Sequence, residues 1–195
     1  VMDASIASDG SRIAVLQSDV SGGIYRTRLL LATPGAEDAP KEVYTETSMG
    51  ISCAFTSAGN VVALCTEKLV VCDTDGKIKN EYDFSGATPA DADLGADGAA
   101  LLLKRNNVSG EKTRIVFDKD GNVVYNEETT EPVSQLCLSD GMLFWFSDGA
   151  VCRRNLKTGE TDSLACTTDR RTLIAIDDNE VLCCSGQKAV YLTFD

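Results

Sequence analysis

Residues 138–160, LSDGMLFWFSDGAVCRRNLKTGE, carry three glycine turn signals in one short stretch. Asp140-Gly141, Asp148-Gly149 and Thr158-Gly159 punctuate brief apolar or β-prone runs. Asp-Gly is a strong hairpin signal, because such residues tolerate the positive φ that a tight turn demands. A chain that turns this often reads as a meander of short antiparallel strands.

The pattern recurs along the whole chain. One series of turns is Asp9-Gly10, Ala58-Gly59, Asp97-Gly98, Asp140-Gly141 and Asp178-Asn179, spaced about forty to fifty residues apart. A second series follows the first four: Pro34-Gly35, Asp75-Gly76, Asp120-Gly121 and Thr158-Gly159. Between turns, each unit reads as up to four strands. The second unit is ISCAFTS, VVALCTE, KLVVCDT and IKNEYDF; the fourth is VSQLCLS, MLFWFS, AVCRRNL and TDSLACTT. The last unit has three: TLIAIDD, EVLCCSG and AVYLTFD. The second strand of a unit is the most continuously apolar, as in VVALC, ALLL and MLFWF, which means burial on both faces. A meander with such inner strands must stack against copies of itself. The expectation is therefore an all-β fold, a β-propeller of four-stranded antiparallel meander blades. About five blades' worth of chain is present, at approximately 1–49, 50–88, 89–132, 133–169 and 170–195, in one domain spanning 1–195. A β-sandwich is the competing architecture, but it predicts no forty-residue self-similarity. With no spare strand to complete the fifth unit, the expectation is a small ring with one short blade, or an arc completed by further blades.

The segments VVCDTDGK, IVFDKDGN and CRRNLKTGE stand where a Trp-Asp dipeptide would close a WD40 blade. They resemble the endings of quinoprotein-like blades. More loosely, the chain resembles membrane-anchored propeller proteins of unknown function from Gram-positive anaerobes. That resemblance implies an extracytoplasmic domain, anchored at the cell surface through a segment outside these residues. It supplies no catalytic residues.

Composition narrows the function classes. The net charge is −12, with thirty acidic residues against eighteen scattered basic ones. Nucleic acid and anionic membrane surfaces are therefore poor partners. No apolar run approaches the roughly 20 residues of a membrane-spanning helix, so no membrane insertion by this segment is expected. The chain has no His, which removes the commonest general base near neutral pH, and no Ser, Lys or Tyr is marked as an activated nucleophile. Cys53, Cys65, Cys72, Cys137, Cys152, Cys166, Cys183 and Cys184 form no CxxC motif, so no zinc site is expected. The first four sit in apolar strands and read as buried free thiols; a few disulfides are the alternative in an oxidising compartment. Cys183 and Cys184 point to opposite faces of a strand. Asp73-Thr-Asp-Gly76 and Asp118-Lys-Asp-Gly121 lack EF-hand spacing and read as turns. Asp91 and Asp93 share a strand face. They read as a polar strand lining a wet centre, with a cation site as the alternative. Trp145 reads as core packing. No cofactor or metal is expected.

One feature points to function. Between their second and third strands, the first and third units carry long connections, SDVSGGIYRTRLLL and NNVSGEKTRIVF. Loops on a rigid scaffold commonly carry binding. The expected function is a non-catalytic binding or scaffolding module for a protein or cell-envelope partner, contacted through Tyr25, Arg26, Asn107 and Lys112. The alternative is an enzyme or cofactor carrier that uses the central channel.

Overall fold

The structure, a computed structural model, describes residues 1–105, 110–166, 172–185 and 188–195. Among the described residues every element is a strand, and these strands form five antiparallel sheets. The first sheet holds β1 (Asp3–Ile6), β2 (Ile13–Ser21), β3 (Ile24–Ala32) and β4 (Lys41–Glu46); the second holds β5 (Gly50–Phe55), β6 (Val61–Cys65), β7 (Lys68–Cys72) and β8 (Ile78–Asp83). The third holds β9 (Ala87–Gly95), β10 (Gly98–Arg105), β11 (Lys112–Phe117) and β12 (Val123–Thr129). The fourth holds β13 (Ser134–Ser139), β14 (Met142–Ser147), β15 (Ala150–Asn155) and β16 (Thr161–Ala165). The fifth, β17 (Thr172–Ala175), β18 (Glu180–Ser185) and β19 (Lys188–Thr193), has three strands. Strands follow chain order in every sheet, as meander blades require. The protein is a β-propeller of about five blades.

Burial follows the order of strands within a blade. All of β6 is buried, as are Gly98–Leu103 of β10 and Leu143–Ser147 of β14. The fourth strands β4, β8, β12 and β16 are exposed or half-buried throughout. The continuous apolar runs thus have neighbours on both faces. In β2 and β18 burial alternates instead, so those sheets cover one face well and leave the other half-buried.

The chain divides into two compact units. One is Val1–Thr88, Leu94–Gly98 and Phe117–Asn122; the other is Pro89–Asp93, Ala99–Val116 and Val123–Asp195. In the first, Leu16, Leu29 and Leu31 of one blade pack against Cys53, Phe55 and Val61 of the next. In the second, Leu102 and Val116 pack against Leu143 and Trp145, while Phe144, Phe146 and Val151 pack against Leu173, Val181 and Cys183. Cys53, Cys65 and Cys72 are buried free thiols, and Cys137 is half-buried. Burial pushes the Cys53 thiol up to about 12 and those of Cys65, Cys72 and Cys137 up to about 11, so little thiolate exists near neutral pH.

Two repeated devices fix the blades. On first strands, short polar side chains accept hydrogen bonds from the next blade's first strand. Asp3 Oδ2 accepts from Cys53 N at 2.9 Å and Ser52 Oγ at 2.5 Å, and Ser5 Oγ accepts from Phe55 N. Asp91 and Asp93 accept from Leu136 N and Leu138 N, each at 2.7 Å. These carboxylates therefore stitch blades together, which is why a strand that must pack carries them. At the ends of third strands, Asp73 Oδ1 accepts from the N–H groups of Asp75 and Lys77, Asp118 Oδ1 from those of Asp120 and Asn122, and Asn155 Oδ1 from those of Lys157 and Thr158. The Asp-x-Asp-Gly segments are turns closed by their own first side chain.

Candidate functional site

The first long connection is a continuation of its two strands. β2 and β3 pair over all nine residues each, from Ile13↔Ala32 to Ser21↔Ile24, around Gly22 and Gly23. Both glycines have positive φ, 60° and 81°, as a two-residue hairpin turn matched to strand twist requires. β1 reaches only to Leu16, and β4 begins its pairing at Thr27. Asp19–Ser21 and Ile24–Arg26 therefore project as a two-stranded ribbon whose outer edges carry unpaired backbone groups. The polar Ser18-Asp19 pair reads as a strand end in sequence. In the structure it is where the second strand leaves the blade.

Side-chain alternation explains the ribbon's chemistry. Leu16↔Leu29 and Ser18↔Thr27 are cross-strand partners on the face toward the second blade, and Val20↔Tyr25 continues that face. Leu16, Thr27 and Leu29 are fully buried; Val20 is 58% exposed, Ile24 65% and Tyr25 41%. Thr27 ends the buried part by donating from its hydroxyl to Ser48 O at 2.6 Å and accepting from Gly50 N at 2.9 Å. On the opposite face, Arg28 pairs with Asp19 at 2.8 Å, and Arg26 is exposed beside Glu42 at 3.9 Å. Of the residues expected to contact a partner, Tyr25 and Arg26 thus lie together on the ribbon. Lys112 opens β11, where its Nζ donates to Val133 O at 3.3 Å. Asn107 lies outside the described residues.

A second concave site lies within the other unit. It is a recess of about 320 Å³ lined by β11, β12, β14, β15 and β16, with Arg114, Tyr125, Trp145 and Arg154 prominent. Arg114, 5% exposed, stacks on Trp145 at 4.2 Å from the ring centroid, and its Nη2 donates to Glu127. Its Nε and Nη1 are buried without an acceptor, and so is Trp145 Nε1. Arg154 stacks on Tyr125 at 4.9 Å and donates to Thr161 Oγ1 at 3.1 Å. Burial opposes the charged form of Glu127, but the Tyr125 hydroxyl and Arg114 outweigh it and hold the carboxyl below its ordinary range. Burial and the bond to Glu127 push the Tyr125 phenol up to about 12. The recess thus sets the donors of Arg114, Tyr125 and Arg154 beside three carboxylates, those of Glu127, Glu131 and Asp162.

Arg114 belongs to a series that the residue-by-residue reading missed. Third-strand cations pair with fourth-strand carboxylates in four blades: Lys68 with Glu81 at 2.8 Å, Arg114 with Glu127, Arg153 with Asp162 and, at 3.9 Å, Arg26 with Glu42. The signal in sequence is the thirteen-residue spacing shared by the first two pairs.

No family model matches the chain, and no curated protein does. Solved β-propeller structures are similar to it. Hsv2 from Kluyveromyces lactis matches at TM-score 0.60 and 14% identity over all of this chain and 60% of that one. BamB from Moraxella catarrhalis matches at TM-score 0.56 and 16% identity over 98% of this chain and 58% of that one. A streptogramin B lyase structure matches at TM-score 0.53 and 15% identity over all of this chain and 83% of that one. The chain therefore spans about three-fifths of the length of the Hsv2 and BamB structures. At these identities the likeness establishes the fold.

Proposed function

We propose that residues 1–195 act as one extracytoplasmic binding domain, in which the propeller is the scaffold and the β2–β3 ribbon contacts a protein partner at the cell envelope. The observation that carries this reading is the ribbon tip. Val20 and Tyr25 extend a buried face past the blade that covers it, and Ile24 and Arg26 stand exposed on the ribbon's other face. Tyr and Arg are favoured interface anchors, and an open ribbon edge accepts an added strand from a partner. Asn107 and Lys112, in the corresponding connection of the third repeat, are proposed as partner-contacting residues in their own right. A photo-reactive side chain at Ile24, tested in cells of the native source, should capture one defined protein. The same probe at Asp9, in the turn at the other end of the blade, should not. Equal capture from both positions, or capture from neither, refutes the reading.

A second reading rests on the recess. Unpartnered N–H groups on Arg114 and Trp145, brought to the recess by a small shift of the two stacked side chains, favour a ligand rich in acceptor oxygens, a carboxylate first, so the domain would carry a small molecule between blades rather than in a central channel. Trp145 is the single Trp, so its fluorescence reports on the site. Titration with acetate and succinate should change its emission saturably, and Arg114→Met should abolish the change. Unchanged emission at millimolar carboxylate excludes this reading.

A further inference from the structure

We propose that Cys166 and Cys183 form a disulfide that ties the fourth blade to the fifth when the protein folds in an oxidising medium. Their sulfurs lie 3.2 Å apart. That is inside the ~3.5–4.0 Å of an ordinary contact between smaller carbon atoms. A movement of roughly 1.2 Å brings them to the bonded length of about 2.04 Å. Both are placed by backbone pairing. Cys166 follows β16 and donates its N–H to Gly149 O at 2.8 Å; Cys183 sits in mid-β18, opposite Leu173 and Val190. The thiols are 3% and 0% exposed, among Phe144, Phe146, Val151 and Phe194.

The chemistry balances with a small-molecule disulfide as oxidant. One protein thiolate attacks it, forming a mixed disulfide and expelling one small thiolate. The second protein thiolate attacks the protein-bound sulfur of that mixed disulfide, forms the Cys166–Cys183 bond and expels the second small thiolate. The protein loses two protons and two electrons, and the oxidant is reduced to two thiols. Burial keeps reagents from the native pair, so the bond forms during folding, before β17–β19 close over it.

The bond links residues seventeen apart in sequence and restricts the unfolded chain around the last blade. Its reduction is expected to lower Tm by ~5–10 °C. The test is refolding in glutathione buffer, alkylation in denaturant and peptide mass spectrometry. The expected result is a cross-linked pair of peptides, with six of the eight cysteines alkylated (8 − 2 = 6). Because Cys184 adjoins Cys183, the experiment is repeated on Cys184→Ser, in which the link should persist. The Cys166→Ala variant should show no link, and dithiothreitol should no longer change its Tm. Should that variant fail to fold, the peptide map of the parent protein decides alone. Eight alkylated cysteines, a link that vanishes in Cys184→Ser, or a glutathione adduct without a cross-link overturns the proposal.

Discussion

Replacing Arg153 by Met should destabilise the protein by about 2–4 kcal/mol and loosen its last blade. Arg153 is 7% exposed. Its Nη1 donates to Asn179 Oδ1 at 2.6 Å, its Nη2 to Asp162 and to Asp195 O at 3.1 Å, and its guanidinium stacks 4.6 Å from the Phe194 centroid. Three net hydrogen bonds contribute roughly 0.5–1.5 kcal/mol each. The low end applies to Asp162, which is half-exposed and regains water. Stacking adds about 0.5–2 kcal/mol. Met restores part of the apolar packing, which leaves the stated range. For a chain of this size, the fall in Tm is about 5–15 °C. Thermal unfolding measures the total, and hydrogen exchange should show faster opening confined to β17–β19. Arg114→Met is the internal control. Arg114 also pairs and stacks, but its buried Nε and Nη1 have no acceptor and Glu127 is half-exposed. Removing unsatisfied buried donors offsets the lost pair, so that variant should lie within about 1 kcal/mol of the parent. The reasoning fails if Arg114→Met costs as much as Arg153→Met.

Glu46 should make the protein acid-sensitive. Burial opposes its charge, but Lys68 at 2.7 Å, the Thr47 N–H and the Tyr44 hydroxyl lower its carboxyl from 4.5 to about 2. A depressed folded value means that the stabilisation is complete above pH 4.5 and is lost as pH falls toward 2; Glu46→Gln, costing about 1–3 kcal/mol at neutral pH, should flatten that part of the stability curve. Gly98→Ala should cost more than about 3 kcal/mol by denaturant titration, because φ is 127° and a Cβ would meet Phe117 O at 2.1 Å. Replacing Asp19–Arg26 by Asn-Gly should leave Tm within ~2 °C, since Ser18↔Thr27 still pairs and the removed residues pair only with each other, with exposed Glu42 and with half-buried Arg28; a large loss would make the ribbon a structural element.

The blades were legible because two physical demands show directly in residue types. Positive φ at Gly10, Gly59, Gly141 and Gly159 requires glycine-like turns, and burial on both faces requires runs such as VVALC and MLFWF. In sequence the ribbon reads as a loop because polar Ser18-Asp19 mimics a strand end, whereas the paired backbone continues to Ser21, where water can cover the side chains. The role of Asp91 and Asp93 was hidden for a different reason. Their donors lie forty-five residues away in the next blade, and the two aspartates by themselves do not name those partners. The recurrence of Asp-Ala-Ser at 3–5 and Asp-Ala-Asp at 91–93, each on a first strand, was the available hint.

The distribution of unsatisfied polar atoms bears on which binding reading deserves the first experiment. Among the described residues, the buried atoms without partners are Arg28 Nε, Ser48 Oγ, Arg114 Nε and Nη1, and Trp145 Nε1. Three of the five lie in one recess, on two side chains stacked upon each other. Arg153, the third-strand cation of the next blade, has acceptors on both terminal nitrogens, so the framework does not require the shortfall at Arg114. A buried donor without an acceptor costs about 1–3 kcal/mol, and a carboxylate or ordered water at the recess would recover part of that. The ribbon carries no comparable debt, because its exposed Val20, Ile24 and Tyr25 lose only ordinary apolar hydration free energy in water. The two readings therefore separate by thermodynamics. Occupation of the recess by a small carboxylate should raise the Tm of the isolated domain as ligand concentration rises, and Arg114→Met should erase the rise. A protein partner gripping the ribbon gives no such response to acetate or succinate. A Tm that stays flat across the titration leaves the ribbon as the binding element and assigns the shortfall at Arg114 to water.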